Sequence, residues 1–147
     1  MSAFPPVGEL LPHGPEMLLL DRVIDAGEGR IVCGLTLRAD STFVSEGRAP
    51  CVIALEYMAQ AVAAHLGLRA YRRRHTTHSG LLIGAREVRF AVDELRVGDA
   101  LEVYVEVLVE DEIRGSFECR VLREGAQIAA ATLSVYRGPA SRGEPSS

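Results

Sequence analysis

Tryptophan is absent from this chain of 147 residues, and aromatic residues make up only 5% of it. A core built from it therefore rests on Leu, Val, Ile and Ala. Cysteine is also sparse. Cys33, Cys51 and Cys119 are far apart and show no zinc-ligand spacing. Such an odd, scattered set fits a reducing compartment, so a cytoplasmic protein is expected. There is no excess of positive charge: the net charge of −4 argues against nucleic acid as the main partner. No glycine-rich phosphate loop is present, and the absence of Gly-x-Ser-x-Gly argues against a standard serine hydrolase. The opening MSAFPPVGELLPHG lacks the basic and apolar regions of a signal peptide, so none is expected.

What is present is apolar patterning. The chain is 48% hydrophobic and long enough for one domain with a sizeable core. Residues 1–16 contain four prolines and two glycines and read as an irregular lead-in. Met17–Asp25 and Ile31–Ala39 read as strands, the second with Ile31, Cys33, Leu35, Leu37 and Ala39 on one face. Pro50 suits the first turn of a helix that runs to about Arg73. From Leu82 the period becomes two. Leu82–Val92, Leu101–Val109, Ser116–Arg123 and Gln127–Tyr136 read as antiparallel strands joined by Gly-Asp, Asp-Glu and Glu-Gly turns. Leu101, Val103, Val105, Val107 and Val109 are expected inward, as are Phe117, Cys119 and Val121, and Ala129, Ala131, Leu133 and Val135. The tail at 138–147 is polar and expected to be disordered, leaving a single domain over 1–137.

A helix that is apolar nearly all round must be covered nearly all round. Cys51–Leu68 is long enough to raise a membrane span, but Glu56, Gln60 and His65 inside it favour a core helix. A strongly curved sheet wrapped about that helix is the simplest α+β solution. It leaves a sheet edge and a helix flank open, so a dimer is expected.

Glu56 stands alone as a carboxylate among apolar residues in PCVIALEYMAQ. Burying it costs several kcal/mol unless it is paired, protonated or functional. It is either a proton-transfer group or a packing carboxyl satisfied by hydrogen bonds. Gln60, one turn on, shares its face and can orient it, bind substrate, or serve as a core amide. His65 lies nine residues past Glu56 and so on the opposite side of the helix. His75 and His78 fall in a polar loop with no paired ligand set, and no metal or cofactor is expected. Asp40 suits a turn. Arg69, Arg72, Arg73 and Arg74 form a basic helix end that either offsets the helix dipole or docks an acidic partner.

The order of elements resembles the hotdog fold. LPHGPEMLLLDRV at 11–23 and PCVIALEYMAQ at 50–60 resemble two segments of β-hydroxyacyl-acyl-carrier-protein dehydratases, in the branch associated with aryl polyene clusters. The resemblance covers 11–137. It implies a 3-hydroxyacyl thioester held on the phosphopantetheine arm of acyl carrier protein, in a tunnel between subunits. It further implies a histidine on one subunit that takes the proton beside the thioester, and a carboxyl on the partner's helix that protonates the leaving hydroxyl. Glu56 falls on the carboxyl's position. Cys51 falls where the family has a glycine at the helix start, its N–H remaining available to the carbonyl. Phe43 matches the phenylalanine of the family's Gly-His-Phe-Pro loop, and Thr42 takes the histidine's place. Threonine is no general base near neutral pH, so His13, between Pro12 and Gly14, is the replacement candidate. Phe43, Cys51 and Gln60 are expected around the substrate. Three functions compete: a dehydratase, a hotdog thioesterase in which Glu56 activates water, and a low-activity partner subunit of a dehydratase heterocomplex. The expected assembly is a homodimer or an oligomer of dimers.

Overall fold

A computed structural model of the chain describes residues 4–11, 17–72 and 81–137. Six strands form one antiparallel sheet: β1 (Arg22–Gly27), β2 (Arg30–Thr36), β4 (Leu81–Phe90), β6 (Ala100–Glu110), β7 (Arg114–Arg123) and β8 (Ala126–Arg137). Their order is β1-β2-β6-β7-β8-β4, so β1 and β4 are the edges. Helix α1 (Ala54–Arg72) packs against β2, β6, β7 and β8. This is the hotdog arrangement: a curved sheet around one central helix.

The sheet closes because its inward positions are apolar at every second residue. Phe117, Cys119 and Val121 have no exposure, and Leu101, Val103, Val105, Ala129, Ala131, Leu133 and Val135 are buried as the alternation predicts. The β7–β8 turn places both Glu124 and Gly125 at positive φ, the backbone that a tight two-residue hairpin requires. Two thiols point into this core, and burial pushes Cys33 and Cys119 up to about 12.

Four local expectations are corrected. The strand expected from Met17 begins at Arg22, because the backbone of Met17 and Leu19 bonds to the Gln60 side chain rather than to the sheet. Ala39 is exposed beyond the end of β2. Val109 is 67% exposed, because a bulge between Val107 and Val109 turns it over. Pro50 is not in the helix. It ends β3 (Arg48–Pro50), which pairs with β5 (Glu94–Arg96), and it caps a short 3-10 turn, Cys51–Ile53, that leads into α1. Strands of three residues are too short to show a period, which is why β3 and β5 went unread.

The lead-in lies along α1. At one end a Cβ on Gly67 would stand 2.1 Å from the Leu10 carbonyl oxygen, so the two backbones touch. At the other end Gln60 holds Met17 and Leu19. His13, Arg73, Arg74, His75, His78 and the 138–147 tail lie outside the described residues.

Candidate active site

Gln60 has no exposure. A buried amide must be satisfied, and this one is. Its Oε1 accepts the Leu19 N–H at 2.9 Å, and its Nε2 donates to the Met17 carbonyl at 2.7 Å. With the amide so oriented by backbone, the remaining N–H reaches the Glu56 Oε2 at 3.3 Å. The sequence therefore placed Gln60 and Glu56 together correctly. The expectation of a buried Glu56 is corrected, since the carboxyl is half-buried.

The reason is the face it occupies. Val52 is 54% exposed, and Leu55, Glu56, Ala59 and Leu66 are half-buried, at the three- and four-residue spacing of one stripe. The opposite faces of α1 are sealed by the sheet. Among the described residues the stripe and the β4 edge are both open. Every described side chain of β4, 83–90, is exposed, and Ile83, Val88 and Phe90 are apolar. This is the helix flank and sheet edge that the apolar patterning left without cover.

A cavity of about 220 Å³ lies on a different side of α1, lined by Leu18, Leu19, Leu37, Thr42, Tyr57 and their neighbours. Thr42, in the place of the family's histidine, is on this cavity, and Glu56 of the same chain is not. Asp40 lines its rim and accepts from Arg38 Nε at 3.4 Å, while Arg38 Nη1 donates to Asp21 Oδ1 at 3.2 Å. Those carboxylates hold the Arg38 guanidinium pKa up. Asp40 therefore stands on the cavity and bonds a side chain, not its own turn. Phe43 is 44% exposed.

Cys51 is buried, and its N–H donates to the Asp93 carbonyl at 2.9 Å. The expectation that this N–H remains free for a substrate carbonyl is thereby corrected. A tertiary contact from the loop before β5 consumes it, which no local pattern reveals. Burial also pushes the Cys51 thiol up, so it is protonated and no nucleophile. The 3-10 turn has Pro50 at its cap and no side-chain cap bond.

Two other expectations resolve. His65 is buried edge-on against Phe117, with ring centroids 5.8 Å apart, and is structural. Arg69 is not an open docking residue. It forms a two-pronged ion pair with Glu110, and Arg72 stands 6.0 Å from the Phe4 ring. Among the described residues no group of three or more His, Cys, Asp or Glu is placed to hold a metal ion. Tyr57 was passed over as apolar filler. Its 1% exposure and its place on the cavity beside Thr42 make it part of the site. A phenol directly following the one carboxylate of an apolar helix was the available sign.

The geometry can now be set beside known proteins. The family model of ApeP dehydratases, ApeP-like, matches residues 5–144. The 3-hydroxyacyl-[acyl-carrier-protein] dehydratase FabZ of Actinobacillus succinogenes is 33% identical over 137 residues, 87% of this chain and 87% of that protein. The FabZ of Pseudoalteromonas translucida is 30% identical over 134 residues, 87% of this chain and 88% of that protein. A chain of the solved dehydratase heterocomplex ApeI:P from Xenorhabdus doucetiae superposes with a TM-score of 0.87 at 30% identity, covering 92% of both chains.

Proposed function

We propose that this chain, which belongs to the ApeP-like dehydratase family, removes water from 3-hydroxyacyl thioesters carried by acyl carrier protein. The observation that carries the reading is Glu56. It lies on the open stripe of α1 and is held by an amide whose other bonds fix the amide's orientation. A carboxyl so placed faces a second chain rather than its own core. In the proposed dimer, β4 edges pair and the stripes meet across the interface. Each site then joins the Thr42 cavity of one protomer to Glu56 of the other, the composite arrangement that the resemblance implies.

The step balances as a β-elimination. A base takes the C2 proton, the C2–C3 double bond forms, and the C3 hydroxyl leaves with the Glu56 proton as water. The base is assigned to His13. The described residues that flank it in sequence both touch α1, Leu10 at Gly67 and Met17 at Gln60. Gln60 acts as a positioning residue, and Phe43, exposed next to Thr42, borders the substrate. No cofactor beyond the phosphopantetheine arm of the carrier is required. The apolar helix is a core element, with 72% of its most apolar window buried, in keeping with a cytoplasmic protein.

A second reading is favoured by Thr42. With a threonine at the loop histidine's position, the chain serves as the partner subunit of an active dehydratase, as the heterocomplex relative suggests. Mass spectrometry of a 3-hydroxyacyl carrier protein incubated with the purified chain separates the readings. Loss of one water with the thioester intact is the expected result. Release of free acid would make the protein a thioesterase. An unchanged substrate, when an authentic dehydratase turns it over, would leave the partner-subunit reading.

A further inference from the structure

Tyr57 is 1% exposed, and it lines the cavity together with Leu18, Leu19, Leu35 and Leu37. A buried phenol ordinarily donates to a protein acceptor. Here none of the hydrogen bonds among the described residues ends on the Tyr57 hydroxyl. The space it shares is the 220 Å³ cavity, whose rim carries Thr36, Arg38, Asp40, Ser41 and Thr42. Four leucines, a set of polar side chains and one buried donor around one cavity make a small-molecule site in miniature. Its volume suits a few carbons and oxygens rather than a long chain.

We infer that Tyr57 holds an oxygen of the bound 3-hydroxyacyl thioester in the cavity beside Thr42, supplying a hydrogen-bond donor at a site that lacks the loop histidine. The inference rests on the dehydratase-family reading of the Thr42 loop. It assigns the residue a positioning role toward substrate and no proton transfer. Burial, with Cys51, Asp21 and Asp99 adding to it, pushes the phenol up to about 12. The hydroxyl therefore stays protonated at neutral pH, and it is a donor rather than a base.

The test pairs two readouts. Tyr57→Phe keeps the ring and removes only the hydroxyl, so its melting temperature should match the wild type, no hydrogen bond among the described residues being lost. On a 3-hydroxyacyl carrier protein its kcat/KM should fall about tenfold, the value of one hydrogen bond of roughly 1.4 kcal/mol to a reacting substrate. Independently of turnover, NMR of carbon-labelled tyrosine should show the Tyr57 ring signal, assigned by its loss in Tyr57→Phe, shifting when 3-hydroxybutyryl-pantetheine is added. Butyryl-pantetheine, which lacks the 3-hydroxyl, tells which oxygen is held. An equal shift assigns the thioester carbonyl, and a smaller one the hydroxyl. If the wild type shows no dehydration yet the ring signal shifts, the dehydratase reading fails and the Tyr57 contact stands. An unmoved ring signal at saturating ligand, or Tyr57→Phe turnover equal to wild type, overturns the inference.

Discussion

The two halves of α1 use similar residues for opposite ends. Residues 54–61 carry Glu56, Tyr57 and Gln60, three polar-tipped side chains with different surroundings. One is on the open stripe, one on the cavity, and one is bonded to the lead-in backbone. Residues 62–72 carry small residues and an ion pair: Ala63 and Ala64 buried, Gly67 against the Leu10 backbone, and Arg69 locked to Glu110. The second half is a packing device whose tolerances are steric. The first half carries the proposed chemistry and borders open space on two sides. The difference shows how one apolar helix is divided: the end that is clamped lets the other end be left incomplete for substrate and a second chain.

Substitutions that touch only one half should separate activity from stability. The largest effect is expected from Glu56→Gln, which keeps shape and removes the acid. Turnover should fall about a thousandfold, within the range for a lost general acid, while a urea melt shifts by less than about 0.5 kcal/mol. Wild-type turnover in this variant would remove Glu56 from the chemistry. Gly67→Ala is the converse. The added Cβ meets the Leu10 carbonyl oxygen at 2.1 Å, and that oxygen is backbone. Even after the helix propensity gained over glycine, a loss of about 2–3 kcal/mol is expected in chemical denaturation. Whatever fraction is folded should keep a normal kcat.

This division was only partly legible in the sequence. Period-two alternation gave the inward faces of β6, β7 and β8 because each is long and buried on one side. It failed at Val109, where a bulge reverses the side chain, and bulges leave no mark in an alternating run. The pairing of Glu56 with Gln60 followed from helical spacing, and the geometry agrees. The burial of Glu56 did not follow, because an all-apolar helix looks the same whether its last face meets its own sheet or another chain. The Cys51 N–H and the two partners of Gln60 on the lead-in are contacts between residues about forty apart, which no local rule reaches. Tyr57 was hidden by its neighbours: amid Leu55, Met58 and Ala59 its ring reads as core, and only the cavity that it lines sets it apart.

The smallest effect sharpens the comparison at the clamped end. Arg69 ties the last turn of α1 to the end of β6, and the pair is largely withdrawn from solvent, with side chains 33% and 15% exposed. The pair also sets a positive charge near the negative end of the helix dipole. Arg69→Met preserves the aliphatic stem and removes the charge, leaving Glu110 less well satisfied. A loss of about 1–2 kcal/mol is expected, above the value of an exposed pair and below that of a fully buried one. The sequence alone allowed Arg69 as a docking residue for an acidic carrier. If it docks the carrier, Arg69→Met raises KM for the carrier-bound substrate and leaves the melt unchanged. If it clamps the helix, the denaturation midpoint falls, and KM for carrier-bound and free pantetheine substrates changes alike. The ion pair with Glu110 predicts the second outcome, because a guanidinium committed to its own sheet has little left to offer a partner.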